Sequence, residues 1–539
     1  MFSIIGFVVF LTFVMIYCVD YEKLMSVVPS TDYKSLWDFV SFKKLGSLPF
    51  FPSICLFSFV VFWFLQLSFI LSQIPNLMNV YRFFTDLLEI KDSELSTLEL
   101  QVVINKIVAL QEEHRISVDR LNAFDIANRI MRKENFLIAL FNKDILDTTI
   151  PIPLPYFKDR YILTKLLEWN ISFCIINYVF DEKYAVKETF LKETQRDSLA
   201  AGLQKRFIML GIINIILAPF IALLLIIYYI LRYGEEIYQN PSAVGARQYT
   251  PLAKWKMREF NELPHLFNRR LANSYRKAKK YMDQFHNDKL AALGKFVAFI
   301  AGSFLVILVG LSIFNEELLL RYEITSGRTI LYYIGFFGII LAASKSVIPD
   351  ENATFEPVPT FHEVVQYTHY LPAHWRGKLH TEKVNMQFGN LFQLKMKVLL
   401  HELLGVTVTP FILAFSLANC SGEIIDFFRE FTVHVDGIGY VCSFALFDFN
   451  RHGNPRYGAM NDRTDKYQRS KQGKMEKSFL SFKNAFPNWE PSEQGSVYLQ
   501  RVKESVTENQ SSETSLAPTE DQSNIKVPVD WEFDSFYKK

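Results

Sequence analysis

Five cysteines (Cys18, Cys55, Cys174, Cys420, Cys442) are scattered over 539 residues, and no two stand at CxxC spacing. That scarcity excludes a zinc ribbon or a disulfide framework as the organiser of the fold. No GxxxxGKS or GxxxxGKT loop occurs. Gly294-Lys295 lacks both the upstream glycine and the following hydroxyl residue, so nothing indicates nucleotide-driven work. His401-Glu402-Leu403-Leu404-Gly405 and His362-Glu363-Val364-Val365-Gln366 each open like a zinc-protease HExxH, and each lacks the second histidine. His362, His369, His374 and His380 lie close in sequence without a cysteine or paired carboxylate beside them. They are expected to hydrogen-bond within a helical layer rather than to hold a metal. No GxSxG elbow is present, so hydrolase chemistry has no support. The sequence indicates no enzyme chemistry, cofactor or metal. A bias of charge is missing too: 58 basic against 56 acidic residues leave a net charge of +2, so the placement of charge matters more than its sum.

What the chain has is apolar residues in long runs. Half of its residues are hydrophobic, 50 of them phenylalanine, while 21% are charged. The average hides a few very apolar stretches separated by ordinarily charged ones, the profile of a polytopic protein with a large water-facing part. A bilayer core of about 30 Å needs about 20 apolar residues in a helix. Residues 1–18, 50–71, 297–314 and 329–347 meet that need. Met1 to Cys18 has neither the basic start nor the small-residue cleavage pattern of a signal peptide, so it reads as the first span.

Two further runs carry features that a simple span does not. Residues 207–233 have Pro219 at their middle and basic flanks at both ends, Lys205 and Arg206 before and Arg232, Arg247, Lys254 and Lys256 after. Basic flanks favour the cytoplasmic side, so a segment that enters, bends at Pro219 and returns is expected. Residues 398–417 contain His401, Glu402, Gly405, Thr407, Thr409 and Pro410. Polar side chains at membrane depth face a bundle interior or a watery path. A second re-entrant segment, bent at Gly405 and Pro410, is expected there.

The resulting fold class is all-α: a polytopic membrane protein with four transmembrane helices, two re-entrant hairpins and a helical cytosolic layer. Residues 19–49 and 315–328 are then lumenal loops. Residues 72–206, 234–296, 348–397 and 418–455 form the cytosolic layer, with both termini on that side. Within it, Val102, Val103, Ile107 and Leu110 recur at helical spacing, as do apolar positions from Leu121 to Phe141. Tyr161 to Phe180, interrupted by Lys165, Glu168 and Asn170, reads as a membrane-surface or a core helix. The basic stretch Lys254 to Lys280 is interleaved with Trp255, Phe260, Phe267 and Tyr275. Its place between membrane segments makes anionic headgroups a nearer partner than nucleic acid, and an ordinary solvated helix face is the alternative. Residues 456–539, poor in apolar residues, are expected to be a disordered tail.

Several motifs, in one order, resemble a known family. Phe260-Asn261-Glu262-Leu263, Gly245-Ala246-Arg247, Ile348-Pro349-Asp350 and His369-Tyr370-Leu371-Pro372-Ala373-His374-Trp375 are similar to signatures of the autophagy-related protein nine family. So are the run from Glu423 to Val433, Cys442-Ser443-Phe444-Ala445 and His452-Gly453-Asn454-Pro455. The resemblance covers Phe2 to Pro455. It implies a domain-swapped homotrimer that scrambles phospholipids without ATP in autophagosome formation. It also implies residence in preautophagosomal membranes and in Golgi-derived and endosomal vesicles, with a bridge-like lipid-transfer protein among its autophagy partners. Where family members often carry charges before the proline ahead of Gly-Ala-Arg, this chain has Tyr238, Gln239 and Asn240. The basic residue before the Ser-x-Ile-Pro-Asp motif is kept as Lys345. The family's long N-terminal cytosolic region is not in this chain, which opens on the first span.

Lysine, arginine, amide and hydroxyl groups at membrane depth can solvate a lipid headgroup whose passage through hydrocarbon otherwise costs several kcal/mol. The candidates for that path are Lys345, Arg247, Gln239, Asn240, His401, Glu402, Thr407 and Thr409. The alternatives are a membrane scaffold that recruits autophagy and lipid-transfer proteins without transporting anything, and an ion channel.

Overall fold

The computed structural model describes residues 17–21, 40–41, 49–94, 98, 100–114, 122–151, 161–182, 184–239, 246–285, 288–314, 323–325, 328–345, 348, 354–459 and 465–514. They divide into two compact units, Met1–Leu110 with Leu217–Glu235, and Gln111–Ile216 with Glu236–Lys539.

In the smaller unit, α1 (Phe50–Arg82) has 33 residues and carries no charge before its last one. At 1.5 Å per residue it is about 50 Å long, more than a hydrocarbon core requires. A π turn, Phe83–Leu87, follows. α2 (Leu100–His114) takes up the helical spacing of Val103, Ile107 and Leu110, which close over Leu88 and Ile90. Lys106 Nζ donates to the Leu88 carbonyl at 3.0 Å. The expected first span lies almost wholly outside the described residues, as does most of the loop after it. Of that loop, Val19 bridges Val40.

The larger unit begins with α3 (Ala123–Ile130), opened by a capping box between Asn122 and Asp125, and α4 (Arg132–Lys143). The continuous helical pattern from Leu121 to Phe141 thus forms two helices, parted at Met131. α5 (Lys165–Val179) starts at Thr164, whose side chain accepts from the Leu167 amide. α6 (Arg196–Gln239), whose residues 217–235 belong to the smaller unit, is one 44-residue helix with Pro219 inside it. The reversal expected at Pro219 does not occur there. A proline removes one helical donor, and the remaining hydrogen bonds of a long helix carry the chain through.

Next come β1 (Arg247–Tyr249), α7 (Pro251–Met257), α8 (Pro264–Asp283) and α9 (Asp288–Phe314). A two-stranded turn, β2 (Glu323–Thr325) against β3 (Arg328–Thr329), leads into α10 (Ile330–Lys345). α9 and α10 pair antiparallel: Gly302 lies beside Leu341 and Gly338 beside Leu305. Phe304 stacks on Phe337 with ring centroids 5.0 Å apart. Its two helices cover 297–314 and 330–345 of the apolar runs expected at 297–314 and 329–347.

α11 (Pro357–Thr368), α12 (Glu382–Leu391) and β4 (Phe392–Leu394) precede α13 (Lys395–Phe411). α13 continues through Pro410 into a π turn, Ile412–Leu417, and then α14 (Ser421–Phe431). No hairpin forms at Gly405 or Pro410; the helix runs through both and widens into the π turn beyond. β5 (Thr432–Val435) and β6 (Gly439–Cys442) form a small antiparallel ribbon.

Nine fully buried phenylalanines, Phe136, Phe260, Phe361, Phe388, Phe392, Phe427, Phe428, Phe431 and Phe444, build the core of a helical layer in the larger unit that also carries buried charged and amide side chains, the polar layer. The family motifs supply its fixings. Asn261 takes a left-handed backbone, φ 57°, and exchanges hydrogen bonds with Asn135, 2.9 Å from its amide and 2.8 Å between side chains. Glu262 forks onto Arg270 at 2.7 and 2.8 Å. Glu259 meets His369 Nδ1 at 2.7 Å. Burial opposes the Glu259 charge, but His369 and Arg270 outweigh it and hold the carboxyl below the usual carboxylate range.

The tail expectation is corrected by α15 (Lys474–Ala485) and α16 (Glu493–Thr514). Met475, Phe479, Leu480, Phe482, Tyr498 and Val502 are all buried. The low apolar average of 456–539 concealed an amphipathic helix. Lys474 Nζ donates to the carbonyls of Arg258 at 2.8 Å and Trp255 at 3.2 Å, capping the end of α7. One turn on, Lys477 Nζ donates to the His369 carbonyl at 3.0 Å, capping α11.

Candidate functional site

The candidate residues gather most closely on α13. The start of this helix is set by the β1–β4 ladder, in which Arg247 faces Leu394. The Lys395 amide donates to the Ala246 carbonyl at 2.9 Å. Arg247 is half-buried there, its Nη1 3.2 Å from the Phe392 carbonyl. Burial pulls its pKa down and Asp283 opposes this.

α13 has two sides. Val398, Glu402, Gly405, Val406 and Thr409 are buried. Leu400 and Leu404, 58% and 59% exposed, form the bare side with Thr407, Phe411 and, in the π turn, Phe415. Thr407 Oγ1 donates to the Leu404 carbonyl at 2.8 Å, so its hydroxyl is satisfied within the helix even where neighbours are apolar. His401 is half-buried between the two sides.

Glu402 does not line an open groove. Both of its oxygens accept from the Lys165 amide at 3.0 Å, which places a carboxylate at the N-terminus of α5, where the helix dipole favours it. Thr164 caps the same end. Gly405 is there for closeness rather than bending: a Cβ would run into the Thr164 side chain. Thr409 is buried in the same packing.

α6 joins this set. A Cβ on Gly211 would stand 3.0 Å from the Pro410 carbonyl, so the helices meet nearly backbone to backbone. Asn214 Nδ2 donates to Asn170 Oδ1 at 2.9 Å and to the Leu210 carbonyl at 2.8 Å. Asn170 Nδ2 donates to the Leu166 carbonyl at 2.8 Å. This buried amide pair was not among the candidates. Its one signal was Asn214 standing alone in the apolar run from Phe207.

The remaining candidates lie elsewhere. Lys345 is exposed at the last turn of α10, where a cation suits the helix end. Gln239 is exposed at the end of α6. Asn240 falls outside the described residues. Of the four histidines, His369 is engaged by Glu259, and no group of three metal-ligating side chains assembles among the described residues.

Three described helical stretches, Glu193–Leu223, Asp288–Ile313 and Lys395–Leu417, are long and apolar enough to cross a bilayer, and Ile330–Lys345 is a shorter apolar helix. They make this a mostly helical protein whose apolar helices are compatible with a membrane protein. Residues 1–448 match the family model described as Autophagy protein ATG9. The chain belongs to this family. It is 40% identical to an autophagy-related protein 9 of Cryptococcus neoformans, over 94% of this chain and 60% of that protein. It is 44% identical to one of Coccidioides immitis, over 89% of this chain and 53% of the relative. The chain thus spans between about half and three-fifths of these relatives. The cryo-EM structure of Schizosaccharomyces pombe Atg9 is similar at a TM-score of 0.59 and 38% identity, covering 74% of this chain and 88% of that one.

Proposed function

We propose that this protein is an ATP-independent phospholipid scramblase of autophagosome formation, and that α5, α6 and α13 form a partly immersed wedge along which lipid headgroups pass. One observation carries the reading. The α13–α14 stretch is held near one end by α5 and at the other by α4, while it bares an apolar side between them. On the near side, Glu402 holds the start of α5, Glu168 of α5 accepts from the Trp255 indole at 2.9 Å, and Trp255 stacks on Phe141 of α4 at 5.0 Å. On the far side, Phe428 of α14 packs on Phe136 of α4 at 5.1 Å. Held by protein at both ends, the segment is proposed to dip into the bilayer from one side instead of crossing a core of about 30 Å. Its apolar side enters one leaflet, and its polar side stays satisfied within protein, as backbone at such depth requires.

A wedge of this kind shortens the hydrocarbon that a headgroup must cross, and its polar groups along α13, exposed Thr407 and half-buried His401, together with exposed Lys345 at the end of α10, are proposed to solvate the headgroup. Glu402 and Thr409 hold the wedge together instead of touching lipid. No fuel is needed, since exchange runs downhill in either direction. The accompanying proposals are four spans with both termini cytosolic, a domain-swapped homotrimer, and residence in preautophagosomal membranes and Golgi-derived and endosomal vesicles. A bridge-like lipid-transfer protein is the proposed partner, delivering the lipids that are then equilibrated.

The test is leaflet exchange of a fluorescent phospholipid in nucleotide-free liposomes holding the purified chain. A membrane-impermeant reductant should remove nearly all fluorescence. Bleaching that stops at the outer-leaflet share, as in protein-free liposomes, would reject the activity.

A further inference from the structure

α5 keeps one face bare. Leu167, Ile171, Cys174 and Ile175 are buried, but Trp169 is 53% and Phe173 40% exposed. Their rings stack, centroids 5.5 Å apart at 19°. Lys165, one turn earlier on the same side, is also exposed. Such a face in water would be an unusual surface for a packed helix.

Its neighbours fix where it points. Successive helix residues are about 100° apart, so Glu168 and Asn170 lie on the two flanks of Trp169. Glu168 Oε1 accepts from the indole of Trp255 on α7, in the polar layer. Asn170 is paired with Asn214 on α6, whose outer side bares Met209, Ile212 and Ile216. The face therefore looks out at the seam between the polar layer and an apolar helix. Tryptophan favours such a seam, because its ring is apolar and its N–H polar.

We propose that the Lys165–Trp169–Phe173 face of α5 seats at the headgroup–acyl boundary of the leaflet next to the polar layer, as an in-plane aromatic anchor on phospholipid. The inference rests on the reading that α6 and α13 are membrane-embedded. The apolar residues bared by the neighbouring α6, Met209, Ile212 and Ile216, favour lipid over a second copy of the chain as its cover. The Lys165 stem lies along the acyl boundary and its ammonium reaches the phosphates. Anchored there, α5 sets the depth of the wedge, since Glu402 of α13 and Asn214 of α6 are both bonded to it.

The test uses the full chain in nanodiscs of phosphatidylcholine with and without bromine on the upper acyl carbons. Subtracting the emission of Trp169→Phe from that of the wild type isolates Trp169. Its emission should be weaker in the brominated discs, since a tryptophan at the interface sits beside the upper acyl carbons, and iodide in solution should barely change it. Equal emission in both discs overturns the proposal, whether water or a neighbouring protomer covers the face. Phe173→Trp provides a second probe, which should gain a bromine-sensitive signal. Phe299→Trp, on the bare side of α9, separates the two ways of failing. If it is quenched while Trp169 is not, the anchor alone is wrong. If neither is quenched, the membrane reading falls as well.

Discussion

Glu402→Leu tests whether the carboxylate at the centre of the candidate site is a strut or a lipid contact. Its two oxygens share the Lys165 amide at 3.0 Å, and the residue is 3% exposed. Losing a charge-assisted hydrogen bond is worth about 1.5–3 kcal/mol. The anion at the helix start adds up to about 1 kcal/mol. Leucine recovers part of this by removing a desolvated charge. A net loss of about 1–3 kcal/mol at the first turn of α5 corresponds to about 5- to 150-fold faster amide exchange there, at 1.4 kcal/mol per factor of ten. Glu402→Gln keeps an acceptor and should stay at the low end. Hydrogen exchange with mass spectrometry in nanodiscs reads peptides over Lys165–Trp169. If Glu402→Leu leaves exchange there unchanged but abolishes leaflet exchange, the strut account is wrong and Glu402 meets lipid directly.

Asn214→Leu alone should destabilise the α5–α6 crossing by about 1–3 kcal/mol, because Asn170 keeps a buried amide with one partner gone. Asn170→Leu/Asn214→Leu should recover part of that loss, and additive losses in thermal unfolding would deny the pairing. Gly405→Ala should cost about 1–3 kcal/mol of stability through collision with Thr164, seen as a lower unfolding temperature, and Thr164→Ser should restore part of it; an unaffected Gly405→Ala protein would contradict the close crossing. Burial pulls Lys474 and Lys477 down to about 7. The unfolded segment then binds more protons than the docked one between about pH 7 and the ordinary lysine range, so α15 should become better protected as pH rises through that window. Exchange over Met475–Lys483, corrected for the intrinsic rate, should show this, and protection that falls would contradict it.

The uninterrupted apolar runs at 297–314 and 329–347 were legible because nothing in them competes with a helix. The proline-bearing runs were legible as unusual but not in form. Whether proline reverses a chain or is carried through depends on the packing around it, and at Pro410 the helix is carried on into a π turn. The task of Glu402 was hidden for a different reason: its partner is a backbone amide 237 residues away, and sequence patterns do not reveal backbone partners. α15 escaped notice because composition averaged over a long tail dilutes one amphipathic helix. Its docking also means that a deletion after Pro455 would strip caps from α7 and α11, so such a truncation would not separate a scaffold from a scramblase.

Lys345 and Thr407 are exposed and bear little of the packing, so they report on lipid passage with the least disturbance of the fold. Leaflet exchange of Lys345→Leu/Thr407→Leu protein, measured beside wild type at equal reconstitution and equal unfolding temperature, is the most direct measurement. Exchange slowed several-fold is the expected result. Identical rates would show that headgroups do not travel past these residues, and the proposed path would be wrong.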